Sequence, residues 1–159
     1  MLRILAGAIL LAAMFVPASC LADESCPWLN AATAGGVLEG AVKVAVARNQ
    51  DDATCDFVRR EGVREYSLRI EVATMRSDPN EFGSYAARCG SAATALKAIG
   101  NLALACTADG KDGQHGEQVV GRVRDRAFVV RVGTNDDSMR AALREKARKV
   151  AEQVAGTLF

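Results

Sequence analysis

The sequence predicts an α+β domain: a mostly antiparallel sheet of about six strands packed against two or three helices, in the order α-β-β-β-α-β-β-β-α. Three observations carry that expectation. Tyr66, Leu68, Ile70 and Val72 alternate with Ser67, Arg69 and Glu71, the period of a strand with one dry and one wet face. Val119 to Arg124 and Ala127 to Gly133 flank Asp125-Arg126 as the two arms of a hairpin. Met139, Leu143, Ala147, Val150 and Val154 recur at helical spacing, with Arg, Lys and Glu on the opposite side. Adjacent strands with few helices between them favour α+β over a doubly wound parallel sheet.

Residues 1–22 read as a removable export signal. Arg3 supplies the positive start, Ile4 to Val16 is an apolar run without charge, and Pro17 breaks it before small residues. The run is shorter than the about 20 residues of a membrane span. Two cuts are open. Cleavage after Ala22 uses the small residues of Cys20-Leu21-Ala22, and leaves 23–159 as a single extracytoplasmic domain. A lipobox, Pro17-Ala18-Ser19-Cys20, would instead make Cys20 a lipidated first residue, with Pro17 where Leu or Val is usual. The first cut is favoured, so membrane attachment is expected only if Cys20 is lipidated.

The remaining elements follow in order. Asn30 is a good N-cap for a short helix over Ala31 to Glu39, closed by Gly40. Gly35-Gly36 weaken that helix by about 1 kcal/mol each relative to alanine, so it leans on tertiary packing. Val42, Val44 and Val46 alternate as a strand, Asn49 to Asp52 turn the chain, and Cys55-Asp56-Phe57 begins a second strand. Glu61-Gly62 turns into the Tyr66–Val72 strand. Asp78 as cap, Pro79 at the first helical position and Glu81 three residues past the cap start a second helix. Its apolar face is Phe82, Tyr85, Ala86 and Cys89, and Gly90 stops it. Ala92 to Ala98 fits either a helical turn or an extended stretch. Leu102 to Cys106 is a short buried strand, and Thr107 to Gln118 a polar, glycine-rich loop. Asn135 or Asp136 caps the final helix, about Asp137 to Ala155.

Composition narrows the function. The 159 residues carry 20 basic and 19 acidic side chains, and removal of Arg3 with the leader leaves 19 of each. That balance argues against a nucleic-acid partner, which calls for a basic excess. One histidine excludes a multi-histidine metal site. Among the five cysteines, Cys26, Cys55, Cys89 and Cys106 remain as an even set under either cut. In an exported chain they read as two disulfides with three possible connectivities, and sequence neighbours suggest Cys26–Cys55 and Cys89–Cys106. Paired thiols are not nucleophiles, which disfavours cysteine catalysis with His115.

Cys26-Pro27-Trp28-Leu29 before a small helix, Cys55-Asp56-Phe57 opening a strand, and Ile99-Gly100-Asn101-Leu102-Ala103 ahead of a hairpin carry a resemblance. Over residues 26–155 the chain resembles the cysteine-paired lipoproteins and sensor-like ectodomains of actinobacteria. The resemblance implies an extracytoplasmic α+β domain and supports the Cys26–Cys55 pairing. It implies no catalytic residues.

Two clusters stand as candidate sites. Asp109, Asp112, His115 and Glu117 gather oxygen and imidazole ligands in the 109–117 loop, but the spacing is not that of an EF-hand and Lys111 opposes a cation. A solvated loop is the favoured reading, with no metal or other cofactor expected. Arg122, Arg124 and Arg131 fall on the hairpin face opposite Val123, Phe128, Val130 and Val132, with Arg59, Arg60, Arg64 and Arg69 from the first half. On one sheet, such guanidinium forks would hold a carboxylate, phosphate or acidic glycan; the alternative is cross-strand pairing with Glu65, Glu71 and Glu117. Trp28, Phe57, Tyr66, Phe82 and Tyr85 are expected in the core. The resulting expectation is an exported, periplasmic or secreted envelope protein, working as a non-enzymatic binding or sensing module for a protein or an anionic small molecule. The alternatives are a metal-assisted hydrolase built on the 109–117 loop and a structural or inhibitory envelope protein.

Overall fold

The computed structural model describes residues 25–50, 52–76, 81–110 and 113–159. The expected leader, Cys20, the Asp78-Pro79 helix start, Lys111 and Asp112 lie outside the described residues.

Alternating side chains build the sheet, and hairpins set its order. β1 (Lys43–Asn49), β2 (Asp52–Glu61) and β3 (Arg64–Thr74) form one meander, and β4 (Thr94–Leu96), β5 (Leu102–Thr107), β6 (His115–Val123) and β7 (Arg126–Thr134) form another. Antiparallel pairing of β3 with β7 joins them into one sheet of order β1-β2-β3-β7-β6-β5-β4. The class is α+β, with seven strands rather than about six. The extra one is β4, three residues from the stretch whose sequence fitted either state, held by pairing with β5.

One face of the sheet is dry. Phe57, Leu68, Ile70, Val72, Phe128, Val130 and Val132 alternate onto it and are fully or almost fully buried. Two helices cover it: α1 (Ala31–Leu38) over β2 and β3, and α3 (Arg140–Leu158) over β6 and β7. The α3 stripe is the predicted one, with Leu143, Ala147, Val150 and Val154 buried together with Ala151 and Ala155. A fully buried Leu or Val contributes about 1.5–3 kcal/mol, so this stripe outweighs the modest helix propensity of its neighbours. Gly121 of β6 sits directly opposite Phe128, and a Cβ there would lie 2.1 Å from the ring's Cζ, so the aromatic ring fills the space the glycine leaves.

Several boundaries differ from the sequence reading. Glu39, not Gly40, takes the left-handed position that ends α1 (φ 62°), and Lys146 Nζ donates to both its carboxylate (2.7 Å) and the Val37 carbonyl (2.6 Å). Tertiary ion pairing thus supports a conformation that glycine would take more readily. α2 (Glu81–Ala86) is followed by a 3-10 segment, Ala87–Ala92, in which Gly90 bends the chain at φ 58°. β6 starts at His115, four residues inside the expected loop, because pairing with β7 continues to His115–Thr134.

The predicted cysteine pairs form. Cys26–Cys55 ties the segment before α1 to β2, and Cys89–Cys106 ties the 3-10 segment to β5. Both disulfides are consistent with an oxidising compartment. Among the described residues no helix is long and apolar enough to cross a membrane.

Candidate functional site

Among the described residues the second face of the sheet is only half covered. α2 and the 3-10 segment pack Phe82 and Cys89 over Val120, Ala127 and Val129. The β2–β3–β7 part stays open, and strand register decides what it presents. Asp56 of β2 lies opposite Arg69 of β3, Arg69 opposite Arg131 of β7, and Arg131 opposite Gln118 of β6. Antiparallel neighbours of this kind have Cβ atoms about 4.5–5.5 Å apart, so two arginines stand side by side in one row. The next row holds Ser67, Gly133 and Gly116, which have little or no side chain to fill the space beside them.

This arrangement floors a hollow of about 450 Å³, walled by Arg69, Glu71, Arg88, Asp109, Gln118 and Arg131. Glu71 bridges two of the arginines: Arg69 Nε and Arg88 Nη1 each donate to its carboxylate at 2.8 Å. Burial alone would raise the Glu71 carboxyl, but the hydrogen bonds and charges of Arg88 and Arg69 together outweigh it and hold it below the ordinary range. Arg69 also reaches Asp56 at 3.5 Å. Arg88 stacks over the Tyr85 ring, 5.1 Å from its centroid.

Arg131 is held differently. Its Nη2 donates to the Ala108 carbonyl at 2.6 Å, and among the described residues it has no carboxylate partner. Gly116 makes that contact possible. A Cβ on Gly116 would lie 2.4 Å from the Ala108 oxygen, so only glycine lets the Ala108–Asp109 turn come down on the rim. The turn is pinned there by Ala108 N–H donating to the Gly116 carbonyl (2.8 Å) and Gly116 N–H donating to Asp109 Oδ1 (3.0 Å). Gln118 is buried; its Nε2 donates to the Arg88 carbonyl at 3.1 Å and contacts Cys106 Sγ at 3.2 Å.

The structure separates the arginines that the sequence grouped. Arg131 and Arg69 meet. Arg122 lies four residues from Gln118 along β6, with its Nε donating to the Arg124 carbonyl at 2.9 Å. Arg124 sits in the β6–β7 turn at φ 53°, its guanidinium 6.0 Å from the Phe159 ring. Arg59 belongs to the other face, stacked 4.6 Å over Tyr66 and ion-paired with Glu61. Arg60 pairs with Glu65 (2.8 Å) and Arg64 with Asp136 (3.5 Å). The sequence reading missed Arg88 and Gln118. Arg88 precedes a core-facing cysteine and therefore projects to the other side, the one signal that marked it.

Of the candidate metal ligands, His115 Nε2 lies 2.5 Å from Asp137 Oδ1 and its Nδ1 4.0 Å from Asp109. Arg140 is 3.9 Å from Asp109. Glu117 instead accepts from Thr107 Oγ1 at 3.1 Å. Among the described residues no three His, Cys, Asp or Glu side chains form a group able to hold a metal ion. Phe57, Tyr66 and Phe82 are buried and Trp28 packs against the core, while Tyr85 borders the open face.

No family model, curated protein or solved structure matches the chain.

Proposed function

We propose that the chain is an exported, non-enzymatic binding module that holds an anionic group between Arg69 and Arg131. The observation that carries this reading is their register: two guanidinium groups directly opposite on neighbouring strands, on the floor of an open hollow. Like charges in that relation destabilise a sheet, where an opposite pair would contribute about 0.2–1 kcal/mol. A carboxylate, phosphate or sulfate between the two forks replaces repulsion with charge-assisted hydrogen bonds. Arg69 is already shared with Glu71 and Asp56, whereas among the described residues Arg131 has only a neutral carbonyl and so has the most to gain. The export signal read in residues 1–22 and the two disulfides together support a place outside the cytoplasm.

The test titrates inorganic phosphate and glucuronate into the protein by calorimetry, with wild type, Arg131→Gln and Arg69→Gln compared. The expected result is binding of at least one anion by wild type and a loss of about tenfold or more in each variant, equivalent to 1.4 kcal/mol. Thermal unfolding gives a second readout, since an anion at 100 times its Kd stabilises the fold by about 2.7 kcal/mol. No heat with either anion, or unchanged affinity in both variants, overturns the reading.

A further inference from the structure

We infer that the arginine pair is one subsite of a longer groove that takes an oligosaccharide of acidic sugars, with Tyr85 as the ring-packing surface at its far end. The inference rests on the proposed anion clamp and adds the ligand's length and chemistry.

The hollow over the arginines is not isolated. A second one, of about 230 Å³, reaches Ser67, Gly133 and Gln114 and shares Arg69 and Arg131 with it. A third, of about 260 Å³, runs to Thr54, Asn49 and Tyr85 and shares Glu71 and Arg88. Shared walls make one groove. Along β3 it extends from Ser67 to Ala73, a rise of about 20 Å at about 3.3 Å per residue step. That length exceeds what one small anion fills.

The lining favours a saccharide over a peptide. The groove touches the edge strand β1 at its far end, near Ala47 and Asn49, but most of its length crosses β2, β3 and β7, interior strands whose backbones are paired on both sides and offer no edge for strand addition. Its side chains are hydroxyls, amides and carboxylates (Ser67, Thr54, Asn49, Gln114, Asp52, Asp56) rather than apolar anchoring pockets, and these groups match sugar hydroxyls. Cationic groups recur along it: Arg131 with Arg69, then Arg88, which borders both the first and the third hollow. Repeating positive charge suits a chain that carries an acid on successive rings. Tyr85, stacked with Arg88, is the aromatic side chain on the groove wall, and its apolar ring beside a guanidinium suits a sugar with a C–H face and an acidic substituent.

The test compares galacturonic acid with its dimer and tetramer by calorimetry on the folded domain. Wild type is expected to gain about tenfold or more from monomer to tetramer, beyond the statistical gain from several equivalent acid groups. Tyr85→Leu, which keeps apolar volume beside Phe82 and removes the ring, is expected to reduce that gain while monomer affinity stays unchanged. Arg131→Gln is expected to weaken every length. Near-UV circular dichroism verifies that each variant is folded. Monomer binding with no length dependence overturns the extended groove and leaves the anion clamp standing. Tetraglutamate binding as tightly as the tetramer overturns the saccharide assignment. No binding at any length overturns both.

Discussion

The two disulfides are expected to have nearly equal effects on stability and different effects on binding. Cys26–Cys55 spans 29 residues and Cys89–Cys106 spans 17. The loop-closure relation assigns them about 3.5 and about 3 kcal/mol. What they tether differs. Cys26–Cys55 lies under the helix-covered face, on the far side of the sheet from the groove. Cys89–Cys106 anchors the 3-10 segment that carries Arg88, whose backbone carbonyl accepts from Gln118 and whose side chain braces Glu71. Replacing both cysteines of a pair by alanine and following urea unfolding by Trp28 fluorescence should therefore give similar stability losses. Ligand affinity, measured well below both unfolding midpoints, should separate them. Releasing the segment returns freedom to Arg88 and its neighbours, and re-ordering each such side chain on binding costs about 0.5–1.5 kcal/mol. Two or three of them amount to a loss of about tenfold or more. Cys26→Ala/Cys55→Ala should bind as wild type does, and amide exchange should speed up over residues 81–92 only in Cys89→Ala/Cys106→Ala. Equal affinity in the two double variants would refute the role given to the segment.

Gly121→Ala places a methyl 2.1 Å from Phe128 Cζ in the fully buried core, and a loss of about 1–3 kcal/mol of unfolding free energy is expected in urea titration. Adding Phe128→Leu removes the colliding atom and should make the alanine nearly neutral in that background; a simple sum of the two losses would refute the packing account. A double-mutant cycle of Arg69→Gln and Arg131→Gln should return a repulsive coupling of about 0.2–1 kcal/mol in low salt. The coupling should fade towards about 1 M salt, where the screening length is about 3 Å; an attractive coupling would contradict the register argument. Asp136 is held below its ordinary value of 3.8 by hydrogen bonds from Ser138 and then Tyr66, with the Arg64 charge adding to them. Since its folded value is the lower one, its contribution is complete above 3.8 and is lost as pH falls through the folded value. Tyr66→Phe should narrow this acid-induced loss, measured as the difference in urea midpoint between about pH 6 and about pH 3.

The sequence made the dry face legible because periodicity encodes it directly. Tyr66–Val72 and the α3 stripe each repeat a pattern that only one burial arrangement satisfies, and both fold as read. Cysteine neighbours also sufficed, since each pair closes a local loop. β4 escaped because three residues are too short to show a period, and it exists through its pairing with β5. The groove was only partly legible. Period two places Arg69, Arg122 and Arg131 on a wet face, but it does not say which strands adjoin. The β3–β7 pairing joins residues about sixty positions apart, and it alone brings Arg69 to Arg131 while leaving Arg122 near the β6–β7 turn. Local geometry removed others: Arg124 entered the turn, and Arg59 followed its odd-numbered neighbours Cys55 and Phe57 to the helix face.

The position of the groove follows from how the two faces are covered. α1 and α3 cover the dry face along β2, β3, β6 and β7, so that side is committed to packing. Among the described residues the other face receives only α2 and the 3-10 segment, over β6 and β7. The rest of that face must stay wet, and in an antiparallel sheet a wet face carries polar residues wherever strands alternate. An ordinary wet face, however, would set opposite charges across from each other, as Arg60 and Glu65 do beside the turn of the β2–β3 hairpin. At the centre the pattern changes. Arg69 meets Arg131, and Ser67, Gly133 and Gly116 beside them leave the floor low. Gly116 also lets the Ala108 carbonyl reach Arg131 and fix its fork over the hollow. A glycine chosen for close backbone approach, a like-charged pair and a disulfide-tethered third arginine all bear on the same hollow. Solubility alone asks for none of these, and their convergence is what supports the proposal of a binding surface on this part of the sheet.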